Sequence, residues 1–146
     1  MDHSIRLANL ADIDTIFDIR TSVRENHLSR EQLAAMGISH FTIRQAMLEA
    51  PCAWVAEVNG VPVGFSMVDV EDGCVFAAFV LPGFEGNGLG RRLMEQAETF
   101  LFQHHHTIWL ETAEASRACG FYRHLGWQLV KDLTEGDVRF EKSQNG

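Results

Sequence analysis

The sequence has little cysteine and no long apolar run. Its three cysteines, Cys52, Cys74 and Cys119, are widely spaced and form no Cys-x-x-Cys pair, which argues against a disulfide framework and against a zinc site. We therefore expect buried free thiols. No apolar stretch approaches the roughly 18 residues that a membrane span requires, so we expect a protein that does not enter a membrane.

The sequence also lacks an excess of basic residues. It has 12 Lys and Arg against 20 Asp and Glu, a net charge of −8 at pH 7, whereas nucleic-acid binding depends on clustered basic side chains. Nucleic acid is therefore not an expected partner. Residues 1–4 have neither the basic start nor the apolar stretch of a secretory signal, so the expected location is cytoplasmic.

Histidine is concentrated in one internal run, His104, His105 and His106. No further ligands follow at the spacing of a metal site, and histidines near the C-terminal end of a helix interact favourably with its dipole. We expect a polar helix end here and no bound metal.

The length of 146 residues predicts one domain, residues 1–146. Asp12 is expected to cap the first helix, in which Ile13, Ile16 and Phe17 share one face. Periodicity and turn signals predict the following elements in order: strand 4–10, helix from 12, helical region 29–48 broken near 37, strands 53–58, 63–70 and 74–81, helix 88–103, strand 107–112, helix 116–125, and strands 127–133 and 138–141.

The three central strands, 53–58, 63–70 and 74–81, are joined by short turns such as Asn59-Gly60. Parallel neighbours require a crossover of a dozen or more residues, so these strands must form an antiparallel meander. The following helix carries one apolar stripe and is expected to pack on the sheet. Its members are Leu89, Leu93, Ala97 and Leu101. The predicted fold is mixed α/β.

A glycine-rich loop joins the third of these strands to the long helix. Gly86, Gly88 and Gly90 keep side chains away, so that backbone N–H groups and the positive helix end can converge on an anion such as a phosphate. Arg91 and Arg92 are expected to add positive charge there. The loop lacks the Gly-Lys-Ser/Thr ending of a P-loop, which argues against nucleotide hydrolysis. Leu93 occupies the third glycine position of a dinucleotide fingerprint, which argues against a dinucleotide-binding site.

The segment Glu85-Gly86-Asn87-Gly88-Leu89-Gly90 resembles motif A of the GNAT acyltransferases, written Q/R-x-x-G-x-G/A, and the order of elements is similar to that family over nearly the whole chain. The resemblance implies a mostly antiparallel mixed sheet with helices on both faces. It also implies a V-shaped splay between the fourth and fifth strands. The implied activity is transfer of an acetyl group from acetyl-CoA, as cosubstrate, to a primary amine of a small molecule or peptide by direct attack.

The resemblance also assigns the cofactor-binding residues. The strand before the loop carries a bulge in the family, and its backbone pairs with the pantetheine arm, while the loop amides hold the diphosphate. The residues carried over are Phe79, Val80, Leu81, Glu85, Gly86, Asn87, Gly88, Leu89, Gly90 and Arg91. Glu85 departs from the family pattern, since it places a carboxylate where Gln or Arg is usual, and Arg91 and Arg92 can offset that charge.

Tyr122 is the candidate general acid. The segment from Ala118 to Trp127 resembles the A-x-x-x-Y-x-x-x-G-F/W signature of the family, in which the tyrosine protonates the departing thiolate of coenzyme A. Seven residues earlier, Ala115 stands where the family often has Asn. Cys119 is expected to face a different side of this helix, and it is not expected to act as a nucleophile.

The general base is harder to identify. A lysine-like amine costs about 4–5 kcal/mol to deprotonate at pH 7, so a base or a desolvated pocket must help. Glu111 is favoured because it ends an apolar strand near the expected thioester, and the alternatives are Glu57, Asp69, Glu71 and a water relay.

Substrate selection in the family usually involves the loop between the first two helices and the last hairpin. The resemblance therefore nominates Arg24, Glu25 and Asn26, with the neighbouring His27, and the turn at 135–137. It also leaves a homodimer open, because family members often dimerise. Two other functions stay open from the sequence: a catalytically weak acyl-CoA-binding or sensor module, and a dinucleotide-binding oxidoreductase.

Overall fold

The strands form one sheet whose order follows the chain except at its end. A computed structural model describes residues 2–22, 28–114 and 116–144, and within them the order is β1-β2-β3-β4-β5-β7-β6. The strands are β1 His3–Leu7, β2 Ala53–Val58, β3 Val61–Asp69, β4 Cys74–Val80, β5 Thr107–Ala113, β6 Gln128–Asp132 and β7 Asp137–Ser143. Neighbours are antiparallel except for the parallel pair β4 and β5. The predicted mixed, mostly antiparallel sheet is confirmed.

Helices alternate with groups of strands. They are α1 Ile13–Ser22, α2 Arg30–Ala35, α3 His40–Glu49, α4 Leu89–Phe102 and α5 Ala118–His124. The predicted break near Gly37 separates α2 from α3, since Gly37 has a φ of 85° and Ser39 then caps α3 by accepting from the Thr42 amide.

The turn between β2 and β3 is the one that its sequence predicts. Asn59 and Gly60 have φ angles of 52° and 80°, and a two-residue hairpin turn of type I′ needs a positive φ at both central positions. Asparagine and glycine tolerate that region better than other residues. β3 pairs antiparallel with β2 on one side and with β4 on the other, which gives the predicted antiparallel meander.

The start of α1 differs from the prediction that Asp12 caps it. A short 3-10 helix, Leu10–Asp12, precedes α1, and the Asn9 side chain caps it by accepting from the Ala11 amide. The Asp12 carboxylate accepts from the Asn9 amide at 2.8 Å and from both terminal nitrogens of Arg6 at 2.7 and 2.8 Å. Asp12 is thus a buried ion-pair partner that ties β1 to this turn.

Helices pack on both faces of the sheet, as predicted. Consecutive side chains of a strand point to opposite faces, and on one face Ser66 Oγ donates to the Leu93 carbonyl of α4 at 3.1 Å. On the other face Phe65 and Phe79 pack at 5.9 Å between ring centroids, under α1. The predicted stripe of α4 is confirmed, because Leu89, Leu93, Ala97 and Leu101 are all at most 1% exposed.

The three cysteines are free and buried, as predicted. Burial raises the pKa of the Cys52 thiol to about 11 and that of the Cys74 thiol to about 12, because a low-dielectric surrounding disfavours the thiolate. In the described part of the chain, no helix has the length and apolar character that a bilayer crossing demands.

Candidate active site

The central feature of the molecule is a cleft between β4 and β5. These strands pair at one position only among the described residues, Cys74 with Trp109, and diverge from there. The Trp109 indole N–H donates to the Asp72 carbonyl at 2.9 Å, and the Arg139 guanidinium lies 4.3 Å from its ring centroid. Trp109 therefore fixes the closed end of the splay, and the open end leads into a cleft of about 1410 Å³.

The glycine-rich loop borders the open end of this cleft. Gly86 and Gly88 both have a φ of 80°, and a Cβ at either position would meet no atom within 4 Å, so the main chain is open to a ligand. Among the described residues, the amides of residues 86–91 donate to no backbone acceptor, whereas the next amide, that of Arg92, donates to Gly88 at 3.1 Å. The first amides of a helix are unpaired and attract anions. The loop therefore offers a row of free donors beside the cleft.

The charge of Glu85 is balanced by a residue other than those expected. Arg117 Nη2 lies 3.0 Å from Glu85 Oε2, and this pair closes part of the loop against the segment before α5. Arg91 lines the cleft but pairs with Glu95 at 3.2 Å. Arg92 points away from the cleft and contacts the His3 carbonyl at 3.4 Å, since consecutive helix residues point about 100° apart. The expectation that both arginines sit at the loop is wrong for Arg92.

The bulge in β4 lies earlier than the segment 79–81. The pairing with β3 passes from Val75 opposite Val68 to Ala77 opposite Met67, so Phe76 is the extra residue of a β-bulge, which bends a strand and increases its twist. Phe79 and Val80 line the cleft. Leu81 instead donates its amide to the Val63 carbonyl at 2.8 Å.

The loop residues divide between the cleft and the core. Glu85, Gly86, Gly88, Gly90 and Arg91 line the cleft. The Asn87 side chain donates to the Phe84 carbonyl at 3.3 Å, and the Leu89 side chain is 1% exposed in the core. These two residues can therefore offer a ligand their main chain and not their side chains.

Tyr122 lies in the cleft wall contributed by α5. Its side chain is buried among Phe121, Trp127 and Phe140, with ring centroids 5.4 to 6.3 Å away, yet it lines the cleft. Desolvation, with a smaller contribution from Cys119, raises the pKa of Tyr122 to about 12, so its hydroxyl stays protonated near neutral pH. Within the described residues this hydroxyl makes no hydrogen bond.

Cys119 lies on the same side of α5 as Tyr122. Both are buried residues of this helix, because side chains three positions apart share a helix face, and the expectation that they face different sides is wrong. The Cys119 thiol donates to the Ala113 carbonyl at 3.3 Å. Burial raises the pKa of this thiol, which disfavours the thiolate that a nucleophile requires.

Of the four carboxylates considered as a base, Glu111 lines the cleft. It is exposed on β5 opposite Arg139 in the register with β7. Glu57 accepts from Arg6 at 3.1 Å near the β1 edge of the sheet and does not line the cleft. Asp69 accepts from the amides of Glu71 and Asp72 in the turn before β4.

The residues nominated for substrate selection are only partly described. Arg24, Glu25, Asn26 and His27 lie outside the described residues, as does Ala115. In the last hairpin, Asp137 lines the cleft. The turn is held by the Glu114 amide, which donates to the Gly136 carbonyl at 2.8 Å.

Sequence reasoning missed Arg20, which also lines the cleft. Its signal is present in the sequence, because Arg20 continues the apolar face of Ile13, Ile16 and Phe17 at helical spacing. A charged residue on a buried helix face requires an explanation. Arg117, the partner of Glu85, was missed as well, and no sequence pattern marks it in the way that the apolar helix face marks Arg20.

The histidine run follows α4, and two of its rings contact other parts of the fold. His105 Nε2 is within hydrogen-bonding distance of the Val70 carbonyl, and the His104 ring packs 5.2 Å from that of Phe100. No group of three or more His, Cys, Asp or Glu side chains within the described ranges is arranged to hold a metal ion.

Solved structures with this fold are numerous and distant in sequence. PaiA N-acetyltransferase from Thermoplasma acidophilum, in complex with coenzyme A, has a TM-score of 0.80 at 15% identity, with 99% of this chain and 100% of that chain covered. The ribosomal-protein-S18-alanine N-acetyltransferase from Escherichia coli has a TM-score of 0.72 at 18% identity, covering 97% and 94%. Arabidopsis thaliana Naa50, in complex with the bisubstrate analogue CoA-Ac-MVNAL, has 0.70 at 15% identity, covering 99% and 100%.

At the level of sequence, a search of curated proteins found no match to this chain. The family model described as "Acetyltransferase (GNAT) family" matches residues 13–127, a range that runs from the first residue of α1 to Trp127 and includes the splay, the glycine loop and Tyr122. Since that range covers most of the chain, and the observed sheet has the splay that the resemblance predicts, the protein belongs to the GNAT acetyltransferase family.

Proposed function

We propose that the protein transfers an acetyl group from acetyl-CoA to a primary amine of a small molecule or peptide by direct attack. The observation that carries this proposal is the row of free main-chain amides at residues 86–91, at the mouth of a cleft between two diverging strands. Free amides at a helix N-terminus suit a diphosphate, and a gap between strands suits an extended chain with amide groups of its own.

The residues present fit a coenzyme A thioester. The amides of 86–91 would hold its diphosphate, and the open space over Gly86 and Gly88 leaves room for it. Val80 would hold the pantetheine arm through its main chain, because the main-chain groups of Phe79 and Leu81 point to β3 and those of alternate strand residues point to the other edge. Phe79 would contact the arm through its side chain, which lines the cleft. Glu85 forms an ion pair with Arg117, which places a positive charge beside its carboxylate and reduces its repulsion of the diphosphate. When bound, the thioester supplies an acetyl group activated for attack.

The chemistry assigned to the protein is proton transfer and orientation. The amine nitrogen forms a bond to the acetyl carbon, and the carbon–sulfur bond breaks. Glu111, directly or through water, takes the proton that the amine gives up, and the Tyr122 hydroxyl donates a proton to the departing sulfur. A tyrosine with a pKa of about 12 keeps its proton at neutral pH, so the proton is present when the sulfur departs.

Turnover and binding can be tested separately. Acetyl-CoA is incubated with the protein and a panel of amino acids, polyamines and peptides, and released thiol is measured; at least one amine should increase thiol release above the hydrolysis background. Acetyl-CoA at 100 times its Kd should stabilise the fold by about 2.7 kcal/mol, visible as a rise in Tm, and NAD should not. Stabilisation without turnover would favour an acyl-CoA sensor, and stabilisation by NAD alone would contradict the proposal.

A further inference from the structure

Arg20 is a charged side chain in the cleft that has no hydrogen-bond or ion-pair partner among the residues that the structure describes. It extends from the end of α1, and its guanidinium carbon lies 4.4 Å from the ring centroid of Phe79 on β4. Its Nη1 atom is buried, and no hydrogen-bond acceptor lies within its reach in residues 2–22, 28–114 or 116–144. Burial lowers the pKa of the guanidinium below its usual value, although an arginine stays charged under physiological conditions.

Other arginines of this protein show what Arg20 lacks. Arg6 pairs with Asp12 at 2.7 Å, and Arg117 pairs with Glu85 at 3.0 Å. Arg30 is the nearest match, because it also stacks on an aromatic ring, that of Phe17 at 5.1 Å, but it pairs with Asp18 at 2.9 Å. A buried polar nitrogen without a partner is costly, and stacking on a ring face offsets only part of that cost.

The position of Arg20 relates it to the acceptor half of the reaction. Phe79, on which it stacks, belongs to the end of β4 that borders the splay, where the proposed function requires the acetyl group to lie. Glu111 lines the same cleft from β5, the opposite wall. An acceptor between these walls meets a carboxylate on one side and a free guanidinium on the other. The cleft thus offers the acceptor a positive group as well as a negative one, although the whole chain has a net charge of −8.

We propose that Arg20 binds a carboxylate of the acceptor, so that the substrate is a small amine that also carries a carboxylate group, as an amino acid does. The inference rests on the proposed function and specifies its substrate class. A guanidinium offers two parallel N–H donors whose spacing matches the two oxygens of a carboxylate, and such a pair would satisfy the buried Nη1. Arg20 is a specificity-determining residue in this assignment, and it takes no part in proton transfer.

The test uses pairs of acceptors that differ only in the carboxylate, such as lysine and cadaverine, or phenylalanine and phenethylamine, with amino-acid amides as neutral analogues. The wild-type protein should prefer the carboxylate member by about 10- to 100-fold in kcat/KM, the range expected for a hydrogen-bonded charge pair. Arg20→Met should remove this preference, Arg20→Lys should restore part of it, and neither should change the Kd for acetyl-CoA.

Arg30→Met is the matched control, since it removes an arginine that already has a carboxylate partner, and it should leave the preference intact. A thermal readout separates recognition from packing. Because Arg20→Met removes an unsatisfied buried charge, its Tm should equal or exceed that of the wild type. A marked fall in Tm, or a loss of acetyl-CoA affinity, would overturn the assignment.

The remaining outcomes distinguish this inference from the proposed function. Turnover of neutral amines with no carboxylate preference, or turnover only of peptides, would overturn the inference and leave acetyl transfer intact. If no amine is acetylated, acetyl transfer fails, and calorimetry with N-acetyl amino acids decides the role of Arg20. Binding that Arg20→Met abolishes would support a carboxylate site, and absence of binding to the wild type would refute it.

Discussion

Tyr122 combines a nonpolar surrounding with a hydroxyl that has no hydrogen bond among the described residues. Replacement by phenylalanine removes one oxygen and leaves the contacts with Trp127 and Phe140. We expect Tyr122→Phe to lower kcat by roughly 10²- to 10⁴-fold, the usual contribution of a general acid, while the Kd for acetyl-CoA and the urea midpoint of unfolding change little.

The high pKa of this residue makes the test sharper. Since the pKa of Tyr122 is about 12, its deprotonation cannot cause a fall in rate between pH 6 and 10, so any titration in that interval belongs to another group. An unchanged kcat in Tyr122→Phe would assign protonation of the thiolate to solvent.

The residue scale is also where sequence reasoning was least complete. The spacing of glycines placed the loop correctly, since Gly86 and Gly88 adopt the positive φ angles that glycine permits. Asp12 looked like a cap, and its pairing with Arg6 depends on a contact between separate elements, which local rules do not include. Arg20 was overlooked, although its place on an apolar helix face was readable.

Among the elements, α4 is preceded by a glycine, Gly88, whose backbone lies in the left-handed region. Gly88 has a φ of 80° with open space around it, so Gly88→Ala meets no clash but costs about 1–2 kcal/mol in backbone strain. If the loop relieves that strain by turning its amides, the affinity for acetyl-CoA should fall by about tenfold, as measured by calorimetry.

A second glycine provides the control for this change. Gly120 lies inside α5, has no positive φ, and would also place a Cβ in open space. Gly120→Ala should stabilise the fold by about 0.5–1 kcal/mol, because alanine is the better helix former, and it should leave acetyl-CoA binding unchanged. Equal losses of affinity in both variants would contradict the role given to the loop amides.

The contact between β3 and β4 depends on a glycine for a different reason. A Cβ at Gly64 would lie 2.9 Å from the Phe79 carbonyl oxygen and 3.3 Å from Leu93 Cδ1, so Gly64→Ala must displace either β4 or α4. We expect a loss of about 1–3 kcal/mol of stability, as for other overpacked sites, read from urea unfolding. Because β4 also borders the cleft, a displacement of β4 should lower the affinity for acetyl-CoA too; a fully wild-type variant would refute the tight contact.

At this scale the sequence predicted most of the fold. Period-two and helical patterns located the strands and helices to within a few residues, and the short turns required the antiparallel meander. The position of the β4 bulge could not be predicted from the sequence, because Phe76 is an ordinary strand residue that is distinguished only by having no partner in the register with β3. The spacing of three residues between Cys119 and Tyr122 places both on one face of α5, and the prediction that they face different sides was wrong.

Across the whole molecule, an ion-pair group joins distant parts of the chain. Arg6 on β1 bridges Asp12, before α1, and Glu57 on β2. Hydrogen bonding from Arg6 lowers the pKa of Asp12 below its ordinary value, so the folded state binds a proton at Asp12 less readily than the unfolded chain does. The resulting stability is present above about pH 4, the unfolded pKa, and is lost as the pH falls through the lower folded pKa.

We therefore expect Asp12→Asn to lose about 1.5–3 kcal/mol at pH 7, the range for hydrogen bonds to charged groups. The difference from the wild type should shrink between pH 5 and 3, as shown by urea unfolding at several pH values. Asp18→Asn is the control, since the Asp18–Arg30 pair is exposed and such pairs contribute at most about 1 kcal/mol. A difference that persists unchanged at pH 3 would show that Asp12 acts through packing and not through its charge.

In the part of the chain that the structure describes, β4 and β5 pair only through Cys74 and Trp109, so two strand edges in the middle of the sheet lack a neighbouring strand. Their outward amides should take up deuterium within the first time points of an exchange experiment, although β3 and β7 protect the opposite edges of the same strands. A bound pantetheine chain would act there as a temporary eighth strand. Peptides covering β4 and β5 should then gain protection together, which would make the centre of the sheet the region whose exchange responds most to acetyl-CoA.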